Sequence, residues 1–341
     1  VKGIVMRYCG DMPMLMTFGE LMLRISPAGD GRLITATSAD LAFGGAECNV
    51  AVAASMMGSK ARYVTALPDN ALGYAAIMKV RASGVDTEQI KCIPGRIGIY
   101  FVEPATGLQP ASVIYDRAGS AVTRWKPSDS DIDAMLENVT HFHFTGITVA
   151  IGGEAVETLV QVLEKCKERG IHVSLDINYR MKLWSVDAAA TGISPVVCYV
   201  DTLICNENHA RMLFDCTPEA DIDKAHLLHE RFPGLSNVLV SRRRAVDETH
   251  DEWSVVACDG DGQAFQSGRR VIPMIERVGG GDAFAGAFFS QWMQGKEMQY
   301  CLEFGAAALA LKHGIRGDFC TFAHTDVMHL LFADSTSGVV R

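Results

Sequence analysis

Residues 277–286, RVGGGDAFAG, set three glycines against an aspartate and then run on as apolar residues at helical spacing. A dinucleotide fingerprint needs G-x-G-x-x-G after a strand, and counting from Gly279 its third glycine would fall on Phe284. A P-loop needs G-x-x-x-x-G-K-[ST]; Gly281 and Gly286 keep that interval, but Ala287 and Phe288 stand where a lysine and a hydroxyl residue belong. What remains is a glycine turn feeding a helix start, where unpaired N–H groups and the positive end of the helix dipole make a nest for an anion. Asp282, in the first helical turn, puts a carboxylate beside whatever the nest holds. That is the minimum for taking a hydroxyl proton next to a bound phosphoryl group. A tight turn followed by an aspartate helix cap fits the same ten residues equally well.

The rest of the 341-residue chain excludes several classes of partner. Apolar residues make up 48% and charged residues 21%, and no run approaches the ~18 consecutive apolar residues of a membrane span. The formal charge of −9 and a single basic cluster, Arg242 to Arg244, without interleaved aromatics argue against nucleic acid. The ten cysteines are scattered, without a C-x-x-C pair and mostly in apolar segments, as reduced thiols in a cytoplasmic protein are. Residues 1–20 lack a continuous apolar core with a small-residue cleavage site, so they read as a lead-in to a first strand and not as a signal peptide.

Periodicity predicts a strand over 14–26 and a helix of small and apolar residues over 44–58, closed by Gly58. Strands over 61–68, 139–147, 171–178 and 200–206 then alternate with helices over 70–84 and 155–170. This order predicts an α/β fold with a mostly parallel sheet covered by helices on both faces. Residues 95–119 depart from it: two alternating strands joined by a Pro/Gly turn form a hairpin, with residues 30–45 as a partner strand. The expected architecture is one domain over 1–341 with a small inserted β-sheet lid that closes over a site on the core.

The glycine run resembles the C-terminal signature D-T-x-G-A-G-D of the ribokinase-like (PfkB) carbohydrate kinases, and GGAECNVAVAASMMG resembles their N-terminal G-G-x-x-x-N-x-A signature. The resemblance implies a three-layer α/β/α sandwich with a lid, ATP and Mg²⁺ as cofactors, and a homodimer or higher oligomer joined through the lid. It makes Asp282 the catalytic base, Gly279, Gly280 and Gly281 the anion hole, and Gly44, Gly45 and Asn49 sugar contacts. FGELMLRISP, YDRAGSA, LDINYRMKLW, ERVGGGDAFAG and ALALKHGIRGDF are similar to segments of the family's 2-keto-3-deoxygluconate kinases. That branch phosphorylates the C6 hydroxyl of a sugar acid. Arg117 and Arg180 offer guanidinium forks for such a carboxylate, and Tyr100 and Tyr115 on the lid strands are placed to meet the sugar chain. The resemblance puts ATP against residues 304–319, with Ala307 and Lys312 as candidates by location, and beside Asn206.

The chain also departs from the family pattern. Glu276 and Arg277 replace the first Asp-Thr of the signature, leaving Glu276 to reach a metal through water. The family's N-x-x-E motif near magnesium becomes NENH, so Asn206 is kept while His209 takes the acidic place and Glu207 lies two residues too early. A K-G-x-x-G on the nucleotide side is missing from the segment 239–253. His141 and His143 have the spacing of a metal pair on one strand face, without an acidic or thiol partner nearby, and read as strand histidines. Two other functions stay open at this stage: a neutral-sugar kinase of fructokinase or ribokinase type, and a non-catalytic sensor on the same fold.

Overall fold

The computed structural model describes residues 12–29, 31–103 and 111–332. Period-2 alternation builds its central layer. Along strand Thr202–Asn206, Leu203 and Cys205 enter one apolar cluster and Ile204 enters the other, as expected of a strand buried on both faces. The sheet runs in the order Ala264–Gln266, His250–Asp259, Asn237–Ala245, Thr202–Asn206, His172–Asp176, His141–Thr145, Met14–Phe18, Lys60–Val64. Every neighbour from Asn237–Ala245 onward is parallel, and the strands beyond it are antiparallel. Helices including Asp129–Met135, Glu154–Arg169, Val186–Val197 and Asp221–Arg231 bury their apolar faces on one side. Helices Ala46–Met56, Gly280–Trp292 and Met298–His313 cover the other. This is the three-layer sandwich expected from the sequence, and no helix among the described residues is long and apolar enough to cross a membrane.

Helices Ala46–Met56 and Gly280–Trp292, which carry the two glycine signatures, cross closely. A Cβ on Gly286 would lie 2.5 Å from the Val50 carbonyl oxygen and 2.6 Å from the Ala53 Cβ. The run of small residues in both helices is therefore a packing requirement, since a core at crystal-like density has no room for an extra methyl there.

A second sheet stands apart, in the order Ala39–Gly44, Met22–Pro27, Gly98–Glu103, Ser112–Asp116. The single strand expected over 14–26 is in fact two, one in the core and one at the centre of the lid. Apolar residues stand close on both sides of the junction, Phe18 before it and Leu21 to Leu23 after it, which hides the break. Space forces it: a Cβ on Gly19 would collide with the carboxylate of Glu47 beneath it. Within 30–45, strand begins only at Ala39, after a 3₁₀ turn at Leu33–Thr35. Asp30, the Pro/Gly turn at 104–110 and the lead-in at 1–11 lie outside the described residues.

Strand register sorts the lid into two faces. Arg24, Tyr100 and Tyr115 are paired across three strands on the inner face. One residue along, Leu41, Ile25, Phe101 and Ile114 form a row on the opposite face, with Leu41 66% and Ile114 57% exposed.

Candidate active site

Between the lid and the C-terminal edge of the parallel strands lies a cavity of about 800 Å³. Ligands of open α/β sheets bind at this edge, and the volume suits small-molecule substrates. Asp176 and Asn206 end two adjacent strands there, and the start of helix Gly280–Trp292 forms the floor.

The three glycines of the floor stand in three different surroundings. Gly279 has φ +82, a left-handed conformation costly for other residues, and a Cβ there would lie 2.6 Å from the Asp318 carbonyl oxygen. A Cβ on Gly280 would run into the imidazole of His313. Gly281 has nothing within 4 Å of its Cβ position, so this backbone is open to a ligand. The His313 ring is held from behind by its Nδ1–H, which donates to the Glu276 carbonyl oxygen at 2.7 Å and leaves Nε2 without a partner.

Asp282 is 8% exposed and accepts a hydrogen bond from Asn49 Nδ2 at 2.7 Å. Asn49 Oδ1 in turn accepts the Gly45 N–H at 3.4 Å, so the bases of the two signatures are tied together. Burial pushes the Asp282 carboxyl up to about 7; the Asn49 bond and Arg180 oppose this, while Asp176 and Glu47 add to it. Asp176 is itself raised to about 6 by burial. A carboxylate that titrates near neutrality can take a proton from a substrate hydroxyl and release it again.

The two arginines expected to hold a carboxylate differ. Arg180 lines the cavity, is exposed, and its guanidinium makes no hydrogen bond or ion pair among the described residues. Arg117 also lines it, but its guanidinium is paired with Glu20, which is 3% exposed, through Nε at 2.7 Å and through Nη2. Tyr115 lies under Arg117, 5.5 Å from the guanidinium to the ring centre, and stacks on Tyr100 at 6.2 Å. Both tyrosines and both glycines, Gly44 and Gly45, line the cavity. The Tyr100 hydroxyl is committed to Asp318, whose carboxylate lies where a side chain on Gly44 would stand.

Arg24 and Asp318 are the residues that sequence reasoning missed. Arg24, at the centre of the lid, donates from Nη1 to Asp318 at 2.6 Å and from Nη2 to Glu276 at 2.7 Å. Its only sequence mark is a charge inside an otherwise apolar strand. Both oxygens of Glu276 are occupied, Oε2 by Arg24 and Oε1 by the Arg277 N–H at 3.1 Å.

On the presumed ATP side two positions are corrected. Ala307 is 0% exposed, packs among helices and does not line the cavity. Lys312 is also 0% exposed, and its ammonium donates to the carbonyl oxygens of Ile315 at 3.2 Å and Gly317 at 2.7 Å. Helical register turns both inward; the residues of this helix that reach the cavity are Leu309 and His313. Asn206 does line it, but its side chain caps helix Glu207–Phe214, accepting the His209 N–H at 2.8 Å and donating to His209 Nε2 at 3.0 Å. His143 is a core histidine bonded to Ser174, and no metal-holding cluster of His, Cys, Asp or Glu occurs among the described residues.

The sequence profile of the pfkB family carbohydrate kinases matches residues 12–317. The chain belongs to this family. It is similar to 2-dehydro-3-deoxygalactonokinase of Haloferax volcanii, with 33% identity over 93% of this chain and 96% of the relative. It is 28% identical to 2-dehydro-3-deoxygluconokinase of Thermoproteus tenax, over 89% of each chain. The crystal structure of 2-dehydro-3-deoxygluconokinase from Thermotoga maritima superposes with a TM-score of 0.88 at 37% identity, covering 94% of this chain and 98% of that one. The protein is thus a PfkB carbohydrate kinase, a phosphotransferase acting on a sugar hydroxyl, and the ribokinase-like fold seen here is the family's.

Proposed function

We propose that this PfkB kinase transfers the γ-phosphoryl group of ATP to the C6 hydroxyl of 2-keto-3-deoxygluconate or its galactonate epimer. The observation that carries the reading is the Asn49–Asp282 pair at the mouth of the glycine nest, with the unpartnered Arg180 guanidinium in the same cavity. Arg180 is the carboxylate anchor, and Arg117, already neutralised by Glu20, takes the lesser part. Asp282 accepts the proton of the terminal hydroxyl as it attacks phosphorus, and the amides of Gly279, Gly280 and Gly281 hold the negative charge that develops. The inner lid face, through Tyr100 and Tyr115, excludes water that would otherwise compete for the phosphoryl group.

Magnesium on nucleotide phosphates needs only one or two protein carboxylates, often through water. Each Glu276 oxygen accepts one hydrogen bond and keeps a lone pair for a metal-bound water. Asp176, which accepts only the Asn178 N–H at 2.9 Å, and Glu207 both line the cavity and fit that demand. Bound there, the ion would neutralise charge on the phosphate oxygens.

The test compares phosphorylation of keto-deoxygluconate, keto-deoxygalactonate and fructose. We expect the sugar acids to be strongly preferred and Arg180→Ala to raise their KM by about tenfold or more. Faster turnover of fructose, unaffected by Arg180→Ala, would instead make this a neutral-sugar kinase. Absence of any ATP consumption would favour a sensor.

A further inference from the structure

Asp251, at 0% exposure, holds two arginines on one oxygen: Arg277 Nη1 donates to Oδ2 at 2.8 Å, and Arg243 Nε forms an ion pair with the same oxygen at 2.8 Å. One guanidinium suffices to neutralise a buried carboxylate, and a second adds repulsion between like charges. Yet both are gathered here, and neither is buried by the contact: the Arg243 side chain is 46% exposed and that of Arg277 33%. Both line the cavity, and Arg277 stands two residues before Gly279 of the nest. Each keeps unused N–H donors, so the trio presents a surplus positive charge and two planar forks to the cavity. The strand of Arg243, Asn237–Ala245, lies four places along the sheet from Met14–Phe18, the strand that leads into the lid, and thus on the side away from the sugar contacts.

We propose that Arg243 and Arg277 form a guanidinium clamp on the phosphates of the donor nucleotide, with Asp251 as the positioning residue that holds both forks in place. The inference rests on the kinase reading of the cavity. A polyphosphate with its terminal group over the glycine nest then has the Arg277 fork beside it, and Arg243 extends the same positive track. Planar forks suit phosphate oxygens, and a buried anchor removes the entropy cost of immobilising long side chains on binding. The clamp supplies positive charge where the segment 239–253 lacks the lysine of a K-G-x-x-G.

Calorimetric titration of the full-length protein with ADP and with adenosine tests this. Arg243→Gln and Arg277→Gln should each weaken ADP binding by about tenfold or more and change adenosine binding by less than about twofold. Arg277→Lys, which keeps charge but loses the fork, should recover only part of the loss. Thermal melts of each variant establish that it is folded at the assay temperature. Unchanged ADP affinity in folded Gln variants would overturn the clamp, as would equal weakening of ADP and adenosine. Failure of the unmodified protein to bind ADP would overturn the clamp together with the kinase reading. Normal ADP binding by a protein that phosphorylates no sugar acid would overturn the substrate proposal and leave the clamp standing.

Discussion

Asn49 donates to Asp282 at 2.7 Å across 233 residues of sequence, and this bond opposes the burial that raises the pKa of the carboxylate facing the glycine nest. Asp282→Asn should lower kcat by roughly a hundredfold to ten-thousandfold, the usual worth of a general base, with ADP binding retained. The Asn49 donor favours the charged carboxylate, so Asn49→Leu should move the acidic limb of the kcat/KM profile to higher pH. A pH–rate series on both variants checks this. An unshifted limb in Asn49→Leu would remove Asp282 from the titrating role.

Burial also links Asp282 to stability. Its pKa rises from 3.8 to about 7 on folding, so the folded state binds the proton more tightly than the unfolded chain. The resulting stabilisation is complete below about pH 4 and is lost as pH rises through about 7. Asp282→Asn cannot ionise and escapes that loss. Its Tm advantage over the unmodified protein should therefore be larger at pH 8.5 than at pH 5. Equal differences at the two pH values would contradict the assignment.

Lys312 is a brace for the loop behind the nest, with its Cε 3.2 Å from the Cβ position of Gly279. Lys312→Met keeps the length of the side chain and leaves the Ile315 and Gly317 carbonyl oxygens without their donor. We expect a loss of about 2 kcal/mol, roughly 4 °C in Tm, with a fall in kcat as the Gly279 turn relaxes. A large rise in KM for ATP without loss of stability would point to a direct nucleotide contact instead.

Gly280 and His313 exclude one another's side chains. Gly280→Ala should cost activity and stability in the unmodified background. His313→Ala in the same chain should recover part of the stability, because the added methyl then has room. A double-mutant cycle measures the coupling, expected at ~1 kcal/mol or more for side chains in contact.

The outer lid row of Leu41, Ile25, Phe101 and Ile114 is apolar, with Leu41 66% and Ile114 57% exposed, and is where the lid dimer implied by the family resemblance would join. Light scattering should find a dimer in the unmodified protein and a monomer in Leu41→Glu/Ile114→Lys. A monomeric unmodified protein would rule the contact out.

The floor of the site was legible because its logic is local. Gly279 to Asp282 is a short run whose spacing rejects two other nucleotide motifs and leaves an anion nest or a capped turn, and Gly44 to Asn49 is a short run that the family resemblance picks out. Arg24, Glu20 and Asp318 were not legible. Their roles arise only when the chain folds: the Arg24–Asp318 bond spans 294 residues. Arg117 was placed in the cavity by its strand, but nothing local revealed that Glu20 would take its charge. Ala307 and Lys312 failed on helical register, since nearness to a motif says nothing about which way a side chain turns. The strand over 14–26 failed because apolar residues close on both sides of a glycine cannot tell one long strand from two that meet there.

The alternation of the lid has a consequence for how its length can change. Arg24, Tyr100 and Tyr115 share the inner face, and the adjacent row of Ile25, Phe101 and Ile114 shares the other, so a single inserted or deleted residue within strand Met22–Pro27 would turn the rest of that strand over and exchange Arg24 with Ile25. Ile25 would then face the substrate and the Arg24 latch would point into solvent. Length changes of two residues restore the facing, though not the pairing partners. The lid can thus vary its side chains one at a time, but its strands tolerate no odd change in length.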